Sequence, residues 1–159
     1  MKGLKECTTL CYLERGNEYL VMYRGKKEND ENSGKYIGVG GHLEKGETPE
    51  ECAFREIREE TGLMAHSLTY RGLITFVFPD KDELAFLYTT SDFGGTGRTE
   101  CEEGSLRWVD RDELLTLPIW EGDAVFLKLL RDTKAPFSVK LVYENVGSGE
   151  LKLSRVVTG

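Results

Sequence analysis

An α/β or α+β layered fold is predicted by three observations in this chain of 159 residues. Short segments rich in Val, Leu, Thr and Tyr recur along its length, one long helix carries signals at both ends, and two shorter helical stretches follow later. Strands with a few interspersed helices bury their apolar faces by packing in layers. Residues 7–13 and 19–23 flank the polar segment 14–18 and read as two antiparallel strands with a loop. The segment 24–35, RGKKENDENSGK, is polar with two glycines and is expected as a surface loop.

The clearest helix covers residues 49–61. Thr48 can cap it, Pro49 suits the first helical position, Glu51 completes a capping box, and Gly62 supplies a left-handed stop. Residues 68–78 and 83–90 are strand-rich around a turn at 79–82, and 105–109 make another short strand. Asp110 is expected to cap a second helix, with Glu113 at the boxed position and an end near Leu117 and Pro118. Asp123 is expected to open a third, whose Val125, Leu127, Leu129 and Leu130 form an apolar run. A final hairpin pairs 137–143 with 151–157 through Gly147, Ser148 and Gly149. No internal repeat interrupts this order, and the length fits one domain over residues 1–159.

Composition narrows the function classes. Hydrophobic residues make up 39% and charged residues 31%, as in a globular protein rather than a disordered one. The net charge of −7, without a basic stripe, argues against binding a nucleic-acid polymer or an anionic membrane. An anionic substrate would need cations brought with it. No apolar run is long enough to span a bilayer and no signal peptide is read at the N-terminus, so the expected address is the cytoplasm. Cys7, Cys11, Cys52 and Cys101 form no CxxC pair and are expected as reduced thiols. No apolar stripe stands outside the core pattern, so no oligomeric state is read.

Chemistry concentrates between residues 41 and 63, GHLEKGETPEECAFREIREETGL. Glu56, Glu59 and Glu60 stand at i, i+3 and i+4, which places three carboxylates on one helix face. Like charges there repel, and the nearby helix C-terminus disfavours anions by roughly 0.3–1 kcal/mol each. Converging hard oxygens suit Mg²⁺ or Mn²⁺, and a bound cation would turn that repulsion into attraction. Gly40 and Gly41 precede the helix, where missing side chains let backbone groups approach a metal or phosphate. Arg55 can hold neighbouring carboxylates by bidentate pairing.

Together these residues resemble the Nudix box, GX5EX7REUXEEXGU, where U is aliphatic. Gly41, Glu47, Arg55, Glu56, Ile57, Glu59, Glu60, Gly62 and Leu63 all fall in register. The resemblance implies an α/β/α sandwich with a mixed central sheet. It implies a divalent-metal hydrolase of nucleoside diphosphate derivatives, with Glu56 and Glu60 as ligands joined by Glu59 and the backbone of Gly41, and with Glu47 and Arg55 in support. Relatives place a further acidic ligand or base five or six residues before a tryptophan, and here Glu103 and Glu102 precede Trp108 at those distances. The general base stays open among Glu59, Glu60, Glu102 and Glu103.

Beyond the box, the segments KYIGVGG, PIWEGDAVF and PFSVKLVY are similar to the MutT/MutX group, which converts 8-oxo-dGTP to its monophosphate and pyrophosphate. That similarity assigns a purine pocket to Trp120 and Asp123, with Tyr36 as a second stacking surface. An indole face stacks on a purine and a carboxyl group bonds its amino and ring nitrogens. Two positions depart from the pattern: Ile37 stands where relatives have a pocket asparagine, and Gly122 where they have a second acid. Rival substrates are ADP-ribose, a dinucleoside polyphosphate or a capped RNA end, and a rival class is a non-catalytic nucleotide sensor.

Overall fold

A computed structural model describes residues 5–25, 30–147 and 149–159. Parts of two expected features, residues 26–29 of the 24–35 loop and Ser148 of the last turn, lie outside the described residues, as does the N-terminal lead-in 1–4. The strands are β1 (Lys5–Arg15), β2 (Glu18–Arg24), β3 (Lys35–Ile37), β4 (Met64–Ala65), β5 (Thr69–Val77), β6 (Asp82–Thr90), β7 (Phe93–Gly94), β8 (Ser105–Asp110), β9 (Phe137–Asn145) and β10 (Leu151–Thr158). The helices are α1 (Pro49–Thr61), α2 (Arg111–Leu114) and α3 (Glu121–Asp132).

The main sheet runs β10-β9-β5-β6-β1-β2-β3, with β8 also paired to β2. It is mixed: β1 lies parallel to β6 and β5 parallel to β9, while the other pairs are antiparallel. β1 and β2 pair only where the hairpin turns, at Glu14 with Tyr19 and Arg15 with Glu18. Beyond that they diverge, and the segment 38–43 takes up the edge of β1. Cys11 and Val39 exchange both backbone bonds there, and Thr9 N donates to Gly41 O at 2.9 Å and Leu43 N to Cys7 O at 3.0 Å.

Alternation along β1 divides the core between two layers. Cys11 and Leu13 pack with Leu20, Met22, Val39 and the α1 residues Ala53 and Ile57. Tyr12, between them, packs with Val21, Ile74, Leu87, Leu141 and the α3 residues Phe126, Leu127 and Leu130. Successive strand side chains point to opposite faces, so each face of the sheet acquires its own helix. Ile57 is fully buried, and such a side chain contributes roughly 1.5–3 kcal/mol. The result is an α/β/α arrangement around a mixed sheet, as the sequence implied.

Helix α1 spans the expected residues because its ends are specified locally. Glu51 N donates to Thr48 Oγ1 at 3.1 Å, Thr48 N donates to Glu51 Oε1 at 3.0 Å, and Gly62 is left-handed at φ 78°. The other two helices differ from expectation. α2 stops at Leu114 rather than near Leu117, because the N–H groups of Leu115, Thr116 and Leu117 turn to carbonyls three residues back as the chain tightens toward Pro118. α3 opens at Glu121, not at Asp123: Trp120 is the N-cap, without a side-chain bond, and Asp123 lies buried in the first turn. The short strands β3, β4 and β7, absent from the expected elements, exist through pairing rather than propensity. All four cysteines are free.

Arg71 sits at the register shift between Tyr70 and Gly72 in β5. Its buried Nη2 donates to Leu130 O at 3.1 Å and Thr133 O at 2.5 Å, so a cation closes the C-terminal end of α3. Replacing it strands those carbonyls. Arg71→Ala is expected to cost about 2 kcal/mol or more, read as a lower urea midpoint; an unchanged midpoint would remove Arg71 from the account of α3.

Candidate active site

The strip 38–43 carries the site because β1 fixes its backbone. A Cβ at Gly40 would lie 2.0 Å from Thr9 O, and one at Gly41 would lie 2.7 Å from Glu56 Oε1. Glycine is required at position 40 by the β1 backbone, and a side chain at position 41 would displace the Glu56 carboxylate. Gly40 N donates to Glu60 Oε1 at 2.8 Å, joining strip to helix. The Cys52 thiol, in the first turns of α1, lies 3.5 Å from Gly41 O and 3.4 Å from Thr9 Oγ1. Glu60 is only 8% exposed. Burial pushes its carboxyl up to about 8, with the charges of Glu56 and Glu103 adding to the effect and the Gly40 N–H opposing it.

Arg55 holds the other acids apart. Its Nε and Nη2 grip Glu47 at 2.7 and 2.9 Å, its Nη1 donates to Glu56 Oε1 at 2.7 Å and to Glu59 Oε2 at 3.2 Å, and Glu44 lies 3.4 Å away. A planar guanidinium can serve several carboxylates at once, which an ammonium cannot do in fixed geometry. The paired Arg55 holds Glu47 down to about 2, while burial keeps Glu56 above the usual carboxylate range in spite of Arg55. Glu59 has a side chain 54% exposed. Beyond the helix, the charge of Glu103 acts on both Glu56 and Glu60, whereas Glu102 is exposed beside it. The loop before β8 thus brings Glu103 into the field of the box glutamates.

On the far side of the glycine strip lies a cleft of about 350 Å³, lined among others by Gly40, Gly41, Ile37, Trp120 and Asp123. Trp120 stands edge-on to Tyr143, with ring centroids 5.7 Å apart, and Lys35 Nζ lies 4.6 Å from its ring centroid. Asp123, 5% exposed, has its carboxyl pushed up to about 8 by burial. Tyr36 is not brought to the cleft: it pairs with Tyr23 at 4.9 Å and takes a bond from Arg107 Nη1 at 2.8 Å. Ile37, its neighbour in β3, lines the cleft and packs against the α1 layer of the core, whereas Tyr36 packs against the layer that holds Trp120. Gly122 also has a structural reason. Its N–H donates to Tyr143 Oη at 2.7 Å, and a Cβ would fall 2.6 Å from that oxygen, so no acid fits.

A profile of the NUDIX domain matches residues 6–130. The chain belongs to this family. It is a Nudix hydrolase, an enzyme that cleaves phosphoanhydride bonds. Over 112 residues it is 33% identical to the oxidized purine nucleoside triphosphate hydrolase of Mus musculus, covering 69% of this chain and 71% of that one. The NAD-capped RNA hydrolase NudC of Vibrio parahaemolyticus is 34% identical over 119 residues, which make up 69% of this chain but 44% of NudC. A crystal structure of a MutT protein from Bacillus halodurans has a TM-score of 0.82 at 23% identity, covering 96% of this chain and 97% of its own, a likeness of fold.

The Nudix hydrolase has a second group of possible ligands that sequence reasoning missed. Ligand atoms of Glu6, His42 and Glu83 all lie within 4.8 Å of one another, a donor set able to hold a divalent cation. Parallel register sets Glu6 beside Glu83, and the bridge from Thr8 to His42 brings in the imidazole. Thr8 Oγ1 donates to Glu83 at 3.0 Å, and Lys81 Nζ lies 3.4 Å from Glu6. No local motif links the three segments. Asn32 and Arg24, which also line the cleft, were missed for the same reason.

Asp123 provides a pH test. Its carboxyl moves from 3.8 to about 8 on folding, so in that window the folded state keeps a proton the unfolded chain has lost, and stability falls as pH rises. Urea midpoints at about pH 5 and about pH 8 should differ more in the wild type than in Asp123→Asn. Equal differences would mean that Asp123 is ionised in its buried position.

Proposed function

We propose that the enzyme hydrolyses purine nucleoside triphosphates to the monophosphate and pyrophosphate, with oxidised guanine nucleotides such as 8-oxo-dGTP as preferred substrates. The observation that carries this is a shared wall: the glycine strip touches the box glutamates on one side and lines the cleft of Trp120 and Asp123 on the other. A purine stacked at Trp120 leaves its phosphates within the chain's acidic, cation-requiring region. Asp123, protonated below about pH 8, can donate to a ring nitrogen as well as accept. The similarity to the mouse purine hydrolase supports the same substrate class.

The donor set fits a hard divalent cation. Glu56 presses against the backbone at Gly41, and Glu60 is held on Gly40 N–H, so oxygen ligands gather without a side chain between them. Glu56, Glu60, Glu59 and the Gly41 carbonyl are assigned as ligands for Mg²⁺ or Mn²⁺, with Glu102 as a further ligand. Such an ion neutralises phosphate charge and acidifies a bound water. Arg55 and Glu47 keep the carboxylates oriented. Glu59, exposed on the helix, and Glu103, on the loop opposite, are the residues assigned to accept the proton from water.

Two measurements test this. Pyrophosphate release with Mg²⁺ is compared across 8-oxo-dGTP, dGTP, ADP-ribose and a dinucleoside tetraphosphate. The highest kcat/KM is expected for 8-oxo-dGTP; preference for ADP-ribose or the tetraphosphate would discard the purine pocket, and silence on all four would favour a sensor. Glu60→Gln, which keeps the shape of the ligand without its charge, is expected to lower turnover by about 100-fold or more, and near-normal turnover would dismiss Glu60 as a ligand.

A further inference from the structure

Asp30, Glu31 and Asn32 line one side of the cleft, on a segment tied by hydrogen bonds. Arg24 Nε donates to Asp30 Oδ2 at 2.8 Å, Asn32 N to Asp30 Oδ1 at 3.1 Å, Ser33 N to Asp30 O at 2.9 Å, and Lys35 N to Asn32 O at 3.0 Å. The loop therefore presents the Asn32 side chain from a fixed backbone. That side chain is half-buried and lines the cleft together with Trp120 and Asp123.

Its orientation is decided by its partner. Trp120 Nε1 lies 2.7 Å from Asn32 Oδ1, and an indole N–H can only donate, so the amide oxygen must face the indole. The two N–H donors of Nδ2 are then not engaged by the indole. Among the described residues Nδ2 has no protein partner. This amide nitrogen stays accessible to solvent beside a stacking surface, so a base seated there would cover it, and a base without an acceptor at that edge would cost about 1–3 kcal/mol.

We propose that Asn32 is a specificity-determining residue: its Nδ2 donates to a carbonyl oxygen of a base stacked at Trp120, while its Oδ1 fixes the indole. This inference rests on the purine triphosphate reading above. It selects bases that carry a carbonyl at that edge over bases that carry an amino group or hydrogen there, since an amino group would meet the amide donor-to-donor. Asn32 reaches the cleft from a loop, beside Ile37 of β3.

The test pairs substrate changes with changes at Asn32. Values of kcat/KM are measured for 8-oxo-dGTP, dGTP, which lacks the C8 carbonyl, and 2-aminopurine deoxyribonucleoside triphosphate, which lacks the C6 carbonyl as well. In the wild type, loss of one of these carbonyls is expected to cost about tenfold or more, and in Asn32→Ala the same loss to cost under about threefold. Asn32→Asp keeps the acceptor for Trp120, so indole emission should stay at the wild-type wavelength while the carbonyl preference is lost. Equal carbonyl penalties in the wild type and in both variants would overturn the proposal and leave purine hydrolysis standing. No turnover of any of the three triphosphates by the wild type would overturn both.

Discussion

The backbone pairing of β1 with residues 38–43 is the constraint on which the site depends. Because β2 leaves β1 just after their hairpin, β1 has a free edge, and the glycine strip satisfies it with bonds at Cys11, Thr9 and Cys7. An edge strand left open inside the molecule would strand its N–H and C=O groups. Satisfying them fixes the strip to within hydrogen-bond tolerance, so Gly40 and Gly41 meet Glu60 and Glu56 from a rigid base. Precision at the glutamates is thus inherited from the sheet rather than from the loop itself.

Charge is the second constraint. Four glutamates, at positions 44, 47, 56 and 59, converge on Arg55, while Glu60 turns away to the backbone of Gly40. One cation offsets part of the mutual repulsion; burial first, and the remaining repulsion after it, keeps the carboxyls of Glu56 and Glu60 above their ordinary range. A helix arranged in this way gains little for its own stability. The excess negative charge is what divalent cations would balance, and an anionic polyphosphate would need those same cations in order to approach.

The glycine strip has the box glutamates on one side and the cleft on the other. The cleft draws on β1, β3, β6, α3 and the loop 30–34, segments held in place by the sheet order and by the packing of α3. Gly122 illustrates the cost of that packing: its contact with Tyr143 leaves no space for a second acid beside Asp123. On the proposed purine reading, selectivity at the base would come from neighbours supplied by other segments, and Asn32 lines the same cleft.

By itself the sequence determined helix α1 to the residue, since its caps are local, and it determined the register of Arg55, Glu56, Glu59 and Glu60, since a helix converts spacing into direction. It also located the long strands, whose alternation carries the two-layer core. Only the tertiary structure decided what pairing and packing decide. Asp123 looks like a helix cap in sequence but is a buried acid of the first turn, because Trp120 takes the capping position. Tyr36 looks like a stacking surface in sequence, and only the tertiary structure supplies its partners Tyr23 and Arg107, through the pairing of β3 with β2. Glu6, His42 and Glu83, and Asn32 with Trp120, are neighbours only through strand register and long-range hydrogen bonds, contacts that leave no period or motif in the chain.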